Sequence, residues 1–252
     1  MAELSIIIPA YNEVRRIGPT LEALAVHLSA EGPSATEILV VDDGSTDGTA
    51  ARVLTLAESL PQLRVLRQEV NLGKGAAVRR GMLEARGRLR LMYDADGSMP
   101  PSEIPRLLAP LVAPPDGGRA AVALGSRYAE GSRVRLPQPA WRRLFSRAVN
   151  VVVRRGLVPG ILDTHCGYKA FTAEAAELLF SNGRLDGWTF DLEILALASR
   201  LSLPMAEVGI VWDDDPGSRV APARDALRVW REWTALRRAI KAHAYPCLAA
   251  AA

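Results

Sequence analysis

The sequence predicts an α/β fold with a mostly parallel central sheet flanked by helices, and three observations lead to it. In the first 127 residues, short apolar runs alternate with segments of helical pattern. The runs are continuous in Ile, Val and Leu, as in strands that are buried on both faces. A chain of 252 residues is also long enough to enclose a sizeable core. Strand–helix alternation favours right-handed crossovers, which build a doubly wound parallel sheet.

This first part of the chain is predicted to contain five strands and four helices. The strands are the apolar runs LSIIIPAYN, EILVVDDGS, LRVLRQE, LRLMYDAD and AAVALGSR. The helices are expected over about residues 13–30, 47–59, 74–86 and 102–112.

The second half is less regular and ends in an amphipathic helix. Its earlier elements are predicted to be a basic helix at PAWRRLFSRAVNVVVRRGL, short helices at TAEAAELLFS and FDLEILALASRL, and a strand at PMAEVGIVW. The last helix runs from about Arg224 to Lys241. Its apolar stripe consists of Ala226, Val229, Trp230, Trp233, Leu236 and Ile240. The sequence therefore divides into residues 1–222, the α/β domain, and residues 223–252, an amphipathic C-terminal helix and tail.

Composition narrows the function classes. A net charge of +3 is too small to indicate nucleic acid as a partner. Two cysteines make no disulfide framework and favour a reducing compartment. A strand-like run follows the first residue almost at once, which argues against a signal peptide. No apolar stretch approaches the about 18 residues of a membrane-spanning helix, so the chain is not expected to cross a membrane by itself. The expected location is cytoplasmic.

Polar side chains follow four of the predicted strands at the point where each strand ends. These residues are Asn12, Glu13, Asp42, Asp43, Asp94, Asp96 and Arg127. In doubly wound sheets, ligands bind at the carboxyl ends of the strands. The sequence therefore predicts a ligand site at this edge of the sheet.

Asp94 and Asp96 are one residue apart, so in an extended chain both carboxylates face the same ligand. Two adjacent carboxylates repel each other unless a cation or a hydrogen-bond network holds them. The spacing of a calcium loop is missing, because its twelfth position from Asp94 is Pro105. Paired oxygen ligands at a strand end suit Mg²⁺ or Mn²⁺ completed by a substrate diphosphate. A solvated turn is the alternative interpretation.

Two further segments have a place in this site. In VVDDGSTDGT, a strand-end acid can bind a ribose or base, and Thr46 or Asp47 can cap the next helix. The glycine-rich NLGKGAAVRRG opens a helix and can bind phosphate through backbone N–H groups. It lacks the P-loop spacing, however, so Lys74 and Arg79 are its candidate anion contacts.

Together these segments resemble a known family. IIIPAYNE, VVDDGSTDGT, NLGKGAAVRRG, DADG, GSRY, DTHCGYKAF, WTFDLEIL and PGSR occur in that order over about residues 4–220. They are similar to family 2 glycosyltransferases, specifically the polyprenyl- and dolichyl-phosphate hexosyltransferase branch. The resemblance implies a GT-A-like, Rossmann-type fold, a nucleotide-sugar donor, Mg²⁺ or Mn²⁺, and inversion of the anomeric centre.

The resemblance also implies roles for individual residues. Contacts to the nucleotide sugar are expected from Pro9, Tyr11, Glu13, Asp42, Lys74, Asp94, Lys169, Asp191 and Glu193, the last three lining or supporting the sugar side. Catalytic roles are expected for Asp94, Asp96, Arg127 and Asp163, with Asp94 and Asp96 as the metal ligands. The acceptor phosphate is expected at Arg127, Arg142, Ser146 and Arg219. The chain departs from the family pattern at Ser98, after the metal motif, and at Asp213–Pro216, before Arg219.

The preferred interpretation is transfer of a hexose from a nucleotide sugar to polyprenyl phosphate, with UDP-glucose as first donor and GDP-mannose as second. A phosphate acceptor is ionised near neutral pH and needs no protein base, whereas a hydroxyl acceptor would need a carboxylate such as Asp163 or Asp191. A transferase for a soluble or polysaccharide hydroxyl and a non-catalytic nucleotide-sugar-binding protein remain as alternatives. A nucleotidyltransferase is disfavoured, because its early glycine-rich signature is missing.

The C-terminal helix bears on the acceptor, because six basic residues accompany its two tryptophans. Such a helix either lies in a membrane interface or packs its stripe on its own domain. A polyprenyl phosphate resides in a membrane. We therefore expect peripheral association with the cytoplasmic face.

Overall fold

A computed structural model of the chain describes residues 2–30, 35–112, 118–136, 157–213 and 222–250. The strands within these ranges are β1 Leu4–Ala10, β2 Thr36–Asp42, β3 Leu63–Arg67, β4 Leu89–Met92, β5 Val122–Ser126, β6 Arg133–Leu136, β7 Lys169–Thr172, β8 Met205–Gly209 and β9 Val211–Asp213. The helices are α1 Ile17–Ala30, α2 Thr49–Ala57, α3 Lys74–Glu84, α4 Ile104–Val112, α5 Ala173–Asn182, α6 Phe190–Arg200, α7 Pro222–Lys241 and α8 Pro246–Ala249. A 3₁₀ turn, Pro101–Glu103, leads into α4.

Seven of the strands form one sheet in the order β3-β2-β1-β4-β7-β5-β8. All neighbouring pairs are parallel except the two that involve β7, which is antiparallel to both β4 and β5. Strands β1, β2, β4 and β5 therefore run in the same direction, and their carboxyl ends meet at one edge. The predicted α/β class with a mostly parallel sheet is confirmed.

Helices cover both faces of this sheet, because successive strand residues point to opposite sides. Ile6 and Ile8 of β1 belong to a buried cluster that includes side chains of α1, α2 and α4. Ile7 belongs to a second cluster, with side chains of α3, α5 and α6. All three isoleucines are fully buried, as the continuous apolar run predicts.

The C-terminal segment packs into the second cluster. Trp233, Leu236 and Ile240 of α7 are buried there, together with Tyr245 and Leu248 beyond it. Packing of the apolar stripe on its own domain therefore accounts for these three positions. The side chains of Ala226 and Val229 lie outside the described residues. The division of the chain between residues 222 and 223 stays a prediction.

Two predicted elements differ from the structure or fall outside it. PMAEVGIVW, predicted as one strand, forms two: β8 joins the large sheet, while β9 pairs with β6 in a separate two-stranded sheet. The predicted basic helix at PAWRRLFSRAVNVVVRRGL lies outside the described residues except for Leu157. Across the described ranges, none of the helices is both long enough and apolar enough to cross a bilayer.

Candidate active site

Asp94 and Asp96 follow the end of β4, at the edge where the parallel strands terminate. The Oδ1 atom of Asp94 accepts a hydrogen bond of 2.7 Å from the Lys74 ammonium at the start of α3. The Oδ1 atom of Asp96 accepts a 3.0 Å hydrogen bond from the backbone N–H of Ser98. Lys74 is therefore at the same site as the two carboxylates, although it lies 20 residues before Asp94 in the sequence.

The electrostatics of this group follow from burial and mutual charge. Burial raises the pKa of Asp96, and the neighbouring charge of Asp94 raises it further. Burial alone would lower the pKa of Lys74, but the charges of Asp94, Asp191 and Asp96 hold it above its ordinary value. Lys74 is therefore a fixed cation in a site whose net charge favours a further cation.

A glycine in the loop before β7 lies against the carboxylate of Asp94. A Cβ atom added to Gly167 would lie 1.8 Å from the Oδ2 atom of Asp94, so a side chain at position 167 cannot share this space with the carboxylate. The adjacent Tyr168 is buried, and its hydroxyl accepts a 2.9 Å hydrogen bond from the Met99 N–H. The segment 166–169 thus packs directly against the loop that carries both carboxylates.

The two carboxylates fit the predicted divalent cation. They offer hard oxygen ligands, which Mg²⁺ and Mn²⁺ prefer. The pKa of Asp96 is raised by burial first and by the charge of Asp94 second, and a bound cation would offset both effects. In the described ranges, no group of three or more His, Cys, Asp or Glu side chains could hold a metal. A cation at Asp94 and Asp96 would need further ligands, which water and substrate oxygens can supply.

Asp42 lies at the end of β2, on the same edge, and its side chain is fully buried. Its Oδ1 atom accepts a 3.3 Å hydrogen bond from the Ser45 N–H. Its Oδ2 atom lies 3.6 Å from the Nε atom of Arg67 and accepts no hydrogen bond from the described residues. A buried carboxylate oxygen with spare acceptor capacity is what a ribose hydroxyl or a base N–H needs.

The end of β1 and the loop after it carry Pro9, Tyr11 and Glu13, the other residues predicted to border the nucleotide. Pro9 lies in β1, and the side chain of Tyr11 is 40% exposed. Glu13 forms two hydrogen bonds of 2.5 Å with the guanidinium of Arg16, which leaves its carboxylate already paired. Asn12 has a left-handed φ of 56°, and its Oδ1 atom accepts a 2.9 Å hydrogen bond from the N–H of Thr46. This hydrogen bond connects the loop after β1 to the loop after β2.

The loop after β2 contains Thr46 and Asp47, the two residues predicted to cap α2. The Oδ1 atom of Asp47 accepts hydrogen bonds from the backbone N–H and the hydroxyl of Thr49, at 3.0 and 2.5 Å. Its Oδ2 atom accepts from the Val14 N–H at 3.2 Å. The N-cap position itself is Gly48, without a side-chain cap, so Asp47 holds the start of α2 from the residue before the cap.

Asp43 has a structural role that sequence reasoning missed. Its Oδ1 atom accepts hydrogen bonds from the Leu72 N–H at 2.8 Å and from Gln68 at 2.6 Å. Its Oδ2 atom accepts from the Gly73 N–H and the Asn71 amide, both at 2.9 Å. One buried carboxylate therefore shapes the loop that delivers Lys74 to the site.

The expectation that the glycine-rich segment binds phosphate through its backbone needs correction. The N–H groups of Leu72 and Gly73 bond to Asp43, as described above. Those of Gly75 and Ala76 both donate to the carbonyl of Asp186, at 2.7 and 3.3 Å. Arg79 is also paired with Asp186. Because these donors already have protein partners, Lys74 is the residue of this segment that carries a charge into the site.

Arg127 follows β5 and is held by Asp163. Its Nε and Nη2 atoms donate to the two carboxylate oxygens of Asp163 at 2.7 and 2.9 Å, and its backbone N–H donates at 3.1 Å. Burial would raise the pKa of Asp163, but the Arg127 guanidinium keeps it below its ordinary value. The guanidinium lies against Trp212, 5.2 Å from the ring centroid. Asp163 is thus placed to orient Arg127.

Lys169 and Asp191 form a second buried pair. The ammonium donates to the Oδ1 atom of Asp191 at 2.7 Å and also to the carbonyl of Cys166. Glu193 is buried as well, and its Oε2 atom accepts hydrogen bonds of 2.9 Å from the N–H groups of Arg184 and Leu185. These three side chains are therefore paired within the protein, and their role on the sugar side stays a prediction.

Some predicted positions cannot be placed. Arg142, Ser146 and Arg219, the other candidates for the acceptor phosphate, lie outside the described residues. Of the two departures from the family pattern, Ser98 is buried, and its carbonyl accepts a 2.8 Å hydrogen bond from the Asp213 N–H. This bond joins the loop that carries Asp96 to β9.

Comparison with known proteins gives a family match. Residues 5–180 match the family model described as glycosyl transferase family 2. Among curated proteins, a dolichyl-phosphate beta-glucosyltransferase of Trichomonas vaginalis is 39% identical over 219 residues, covering 85% of this chain and 65% of that protein. This chain thus spans slightly less than two thirds of that relative. The enzyme of the same name from Drosophila melanogaster is 36% identical over 242 residues, covering 90% and 74%. The one from Homo sapiens is 32% identical over 237 residues, covering 91% and 73%.

Solved structures give the same fold. Glucosyl-3-phosphoglycerate synthase from Mycobacterium tuberculosis, in complex with Mn²⁺, UDP-glucose and phosphoglyceric acid, superposes with a TM-score of 0.69 at 21% identity. The match covers 95% of this chain and 79% of that chain. The complex of the same enzyme with Mn²⁺, UDP and phosphoglyceric acid also gives 0.69, at 22% identity, covering 95% and 78%. This likeness concerns the fold, and it confirms the predicted GT-A-like architecture.

Proposed function

Because the chain belongs to glycosyl transferase family 2, we propose that it transfers glucose from UDP-glucose to a polyprenyl or dolichyl phosphate, with inversion at the anomeric carbon. The observation that carries the proposal is the meeting of Lys74, Asp94 and Asp96 at the carboxyl edge of the sheet. The curated relatives named dolichyl-phosphate beta-glucosyltransferase support the choice of sugar and acceptor. GDP-mannose is the second candidate donor.

The nucleotide sugar would bind along the edge from β2 to β4. Asp42 would accept a hydrogen bond from the ribose or the base through its spare Oδ2 atom. Asp94 and Asp96 would hold Mg²⁺ or Mn²⁺, which neutralises charge on a leaving diphosphate. Lys74, fixed by Asp94, would contact the same anionic group. Electrostatic stabilisation of the leaving group is a major term in reactions of this type.

The acceptor phosphate would bind at Arg127. Its Nε atom and one N–H of its Nη2 atom are committed to Asp163, so the remaining guanidinium N–H groups are those available to phosphate oxygens. A phosphomonoester has its second pKa near about 6 and is mostly ionised at neutral pH. Its oxygen can therefore attack the anomeric carbon without a protein base. Arg142, Ser146 and Arg219 remain predicted acceptor contacts.

A hydroxyl acceptor is the less favoured alternative because it would require a free carboxylate base. The two candidates for that role are Asp163 and Asp191. Asp163 is fully buried and paired with Arg127, and Asp191 is paired with Lys169. Each carboxylate would have to leave an ion pair before it could take a proton.

The acceptor's lipid tail would hold the reaction at a membrane surface, and we expect the cytoplasmic face. Support comes from α7, where Trp230 is 55% exposed next to Arg231, although Trp233 is buried. Sedimentation with anionic liposomes at low salt tests this association. The association is wrong if the protein stays in the supernatant.

The transfer assay uses purified protein, Mn²⁺, dolichyl phosphate in detergent and either labelled UDP-glucose or labelled GDP-mannose. Label should pass from UDP-glucose into the lipid phase. The Asp96→Asn variant should not catalyse this transfer. The matched control is Glu22→Gln, which neutralises a carboxylate on α1 that is 58% exposed. Transfer of label to a soluble or polysaccharide hydroxyl acceptor, and not to dolichyl phosphate, would mean that the proposed lipid acceptor is wrong. Donor binding that survives Asp96→Asn, without transfer to any acceptor, would indicate a non-catalytic binding protein.

A further inference from the structure

We propose that the indole of Trp188 is the surface against which the hexose ring of the donor packs. This inference rests on the proposed function, and it assigns a specificity-determining residue to the sugar. The side chain of Trp188 is 56% exposed, on the segment that leads into α6. Large apolar side chains exposed beside a polar site are typical of ligand contacts.

The position of the ring points to the sugar rather than to the nucleotide. The Lys74 ammonium lies 5.1 Å from the centroid of the Trp188 ring and 2.7 Å from the Oδ1 atom of Asp94. Trp188 therefore lies one side chain away from the carboxylates proposed to hold the metal and the diphosphate. In a nucleotide sugar the hexose is attached to that diphosphate. The nucleoside side of the site, at Asp42, lies beyond β1 in the sheet.

Trp188 is the outward-facing member of its motif. In WTFDLE, Phe190 packs in the core, Asp191 pairs with Lys169, and Glu193 is buried beneath the 184–185 backbone. Thr189 is buried and donates a hydrogen bond to Glu232 of α7. The side chains that follow Trp188 are thus buried in the protein. Trp188 itself presents a flat apolar face to solvent at the rim of the site.

The backbone that carries Trp188 is held on both sides, so the exposed ring is positioned before a ligand arrives. On one side, the carbonyl of Asp186 accepts hydrogen bonds from the start of α3, and Glu193 accepts from Arg184 and Leu185. On the other side lies the hydrogen bond from Thr189 to Glu232. A pre-positioned contact avoids the entropy cost of ordering a loop on binding.

The chemistry of a hexose suits an indole face. One side of a hexopyranose carries mainly C–H groups, and a tryptophan offers a large, rigid apolar surface to cover them. The adjacent Lys74 and Asp94 remain available to the polar groups of the ligand. An isoprenoid chain also presents C–H groups, but the acceptor is expected at Arg127, which follows β5. The hexose is therefore the occupant that the geometry favours.

Calorimetric binding of UDP-glucose and of UDP, each with Mn²⁺, tests the proposal on the full chain. Trp188→Ala should weaken UDP-glucose binding about three- to tenfold, as expected for one aromatic contact, and leave UDP binding within about twofold. The affinity of Trp188→Phe for UDP-glucose should lie between that of Trp188→Ala and that of the parent protein. Leu54→Ala is the matched control, because Leu54 is 54% exposed but lies on α2.

The other outcomes overturn the assignment. Equal weakening of UDP and UDP-glucose would mean that Trp188 acts through Lys74 on the diphosphate. Unchanged donor binding with a raised KM for dolichyl phosphate would assign the Trp188 ring to the acceptor. If neither donor affinity nor this KM changed, Trp188 would not be part of the site. If the parent protein binds GDP-mannose and not UDP-glucose, the proposed donor is wrong, and GDP-mannose against GDP then tests Trp188 separately. Binding of neither nucleotide sugar would overturn both proposals.

Discussion

At the scale of single residues, the buried pair Arg127–Asp163 should contribute to stability as well as to the proposed acceptor site. Asp163 is fully buried, and the side chain of Arg127 is only 15% exposed. Removing one partner of a buried ion pair leaves an uncompensated charge, which costs about 3 kcal/mol or more. Asp163→Asn should therefore lower the free energy of unfolding by about 3 kcal/mol in urea denaturation. Glu22→Gln, which breaks the exposed pair with Arg52, should cost less than about 1 kcal/mol.

The same pair should contribute to stability as a function of pH. The folded-state pKa of Asp163 lies below its ordinary value of 3.8, because Arg127 outweighs the effect of burial. The ion pair therefore stabilises the fold fully above that ordinary value, and the contribution is lost as pH falls through the lower folded pKa. Asp163→Asn should lose less stability than the parent in this acid range. Parallel losses in the two proteins would contradict the assignment.

Gly167 should be required for activity more than for stability. The Cβ atom in Gly167→Ala would meet Asp94 at 1.8 Å, so the carboxylate must move away from Lys74. We expect kcat/KM to fall at least about 100-fold, since small displacements of catalytic groups have effects of that order. Gly118→Ala is the control, because a Cβ there has no atom within 4 Å. A fall confined to thermal stability, with kcat/KM retained, would refute this role.

The sequence predicted acidic side chains at the carboxyl edge of the sheet, but not which of them hold the surrounding loops. Asp42 and Asp43 are adjacent, so in an extended strand their side chains point in opposite directions, and only one can face a nucleotide. Which one does so depends on the partners that surround Asp43, and these come from residues 68–73. Likewise, the closeness of Gly167 to Asp94 spans more than 70 residues of sequence and leaves no local signal.

At the scale of elements, the strands that follow apolar runs in the first 127 residues were predicted, whereas β6 and β7 were not. β7 has four residues, Lys169–Thr172, and begins with a buried lysine that pairs with Asp191 and donates to the Cys166 carbonyl. This strand enters the sheet antiparallel between β4 and β5, which strand–helix alternation does not predict. β6 was missed for a related reason, since its partner β9 lies more than 70 residues away.

The contact between α6 and the C-terminal segment should control the loop beside the site. The Tyr245 hydroxyl donates a 2.6 Å hydrogen bond to the Oε1 atom of Glu193, whose other oxygen holds the 184–185 backbone. Tyr245→Phe leaves Oε1 without this donor, so we expect a loss of about 1–3 kcal/mol in unfolding free energy. Amide hydrogen exchange at residues 184–188 should accelerate.

Thr234→Val provides the control for that measurement. It removes a 2.9 Å hydrogen bond to the Arg231 carbonyl on the exposed side of α7. Exchange at residues 184–188 should then be unchanged. If Tyr245→Phe leaves exchange in this loop at the parent rate while stability falls, the hydrogen bond supports the core but does not control the loop.

At the scale of the whole molecule, the sheet and the C-terminal segment share one core, although the sequence divides them between residues 222 and 223. The amphipathic pattern of α7 predicted an apolar stripe, but a stripe alone does not tell whether protein or membrane covers it. The structure buries Trp233, Leu236 and Ile240 against the same cluster as Ile7 of β1. The covering surface is built from α6 and neighbouring helices, which only the tertiary fold brings together.

A chain truncated after residue 222 should therefore fail to fold cooperatively. It would lose five buried side chains, Trp233, Leu236, Ile240, Tyr245 and Leu248, and would expose the core residues beneath them. Burial of one such side chain contributes about 1.5–3 kcal/mol, so the loss is comparable to the whole stability of a typical domain. Thermal unfolding of the truncated chain, followed by near-ultraviolet circular dichroism, should show no sharp transition. A cooperative transition close to that of the full chain would instead establish residues 1–222 as an independent domain, because the sheet would then hold together without α7.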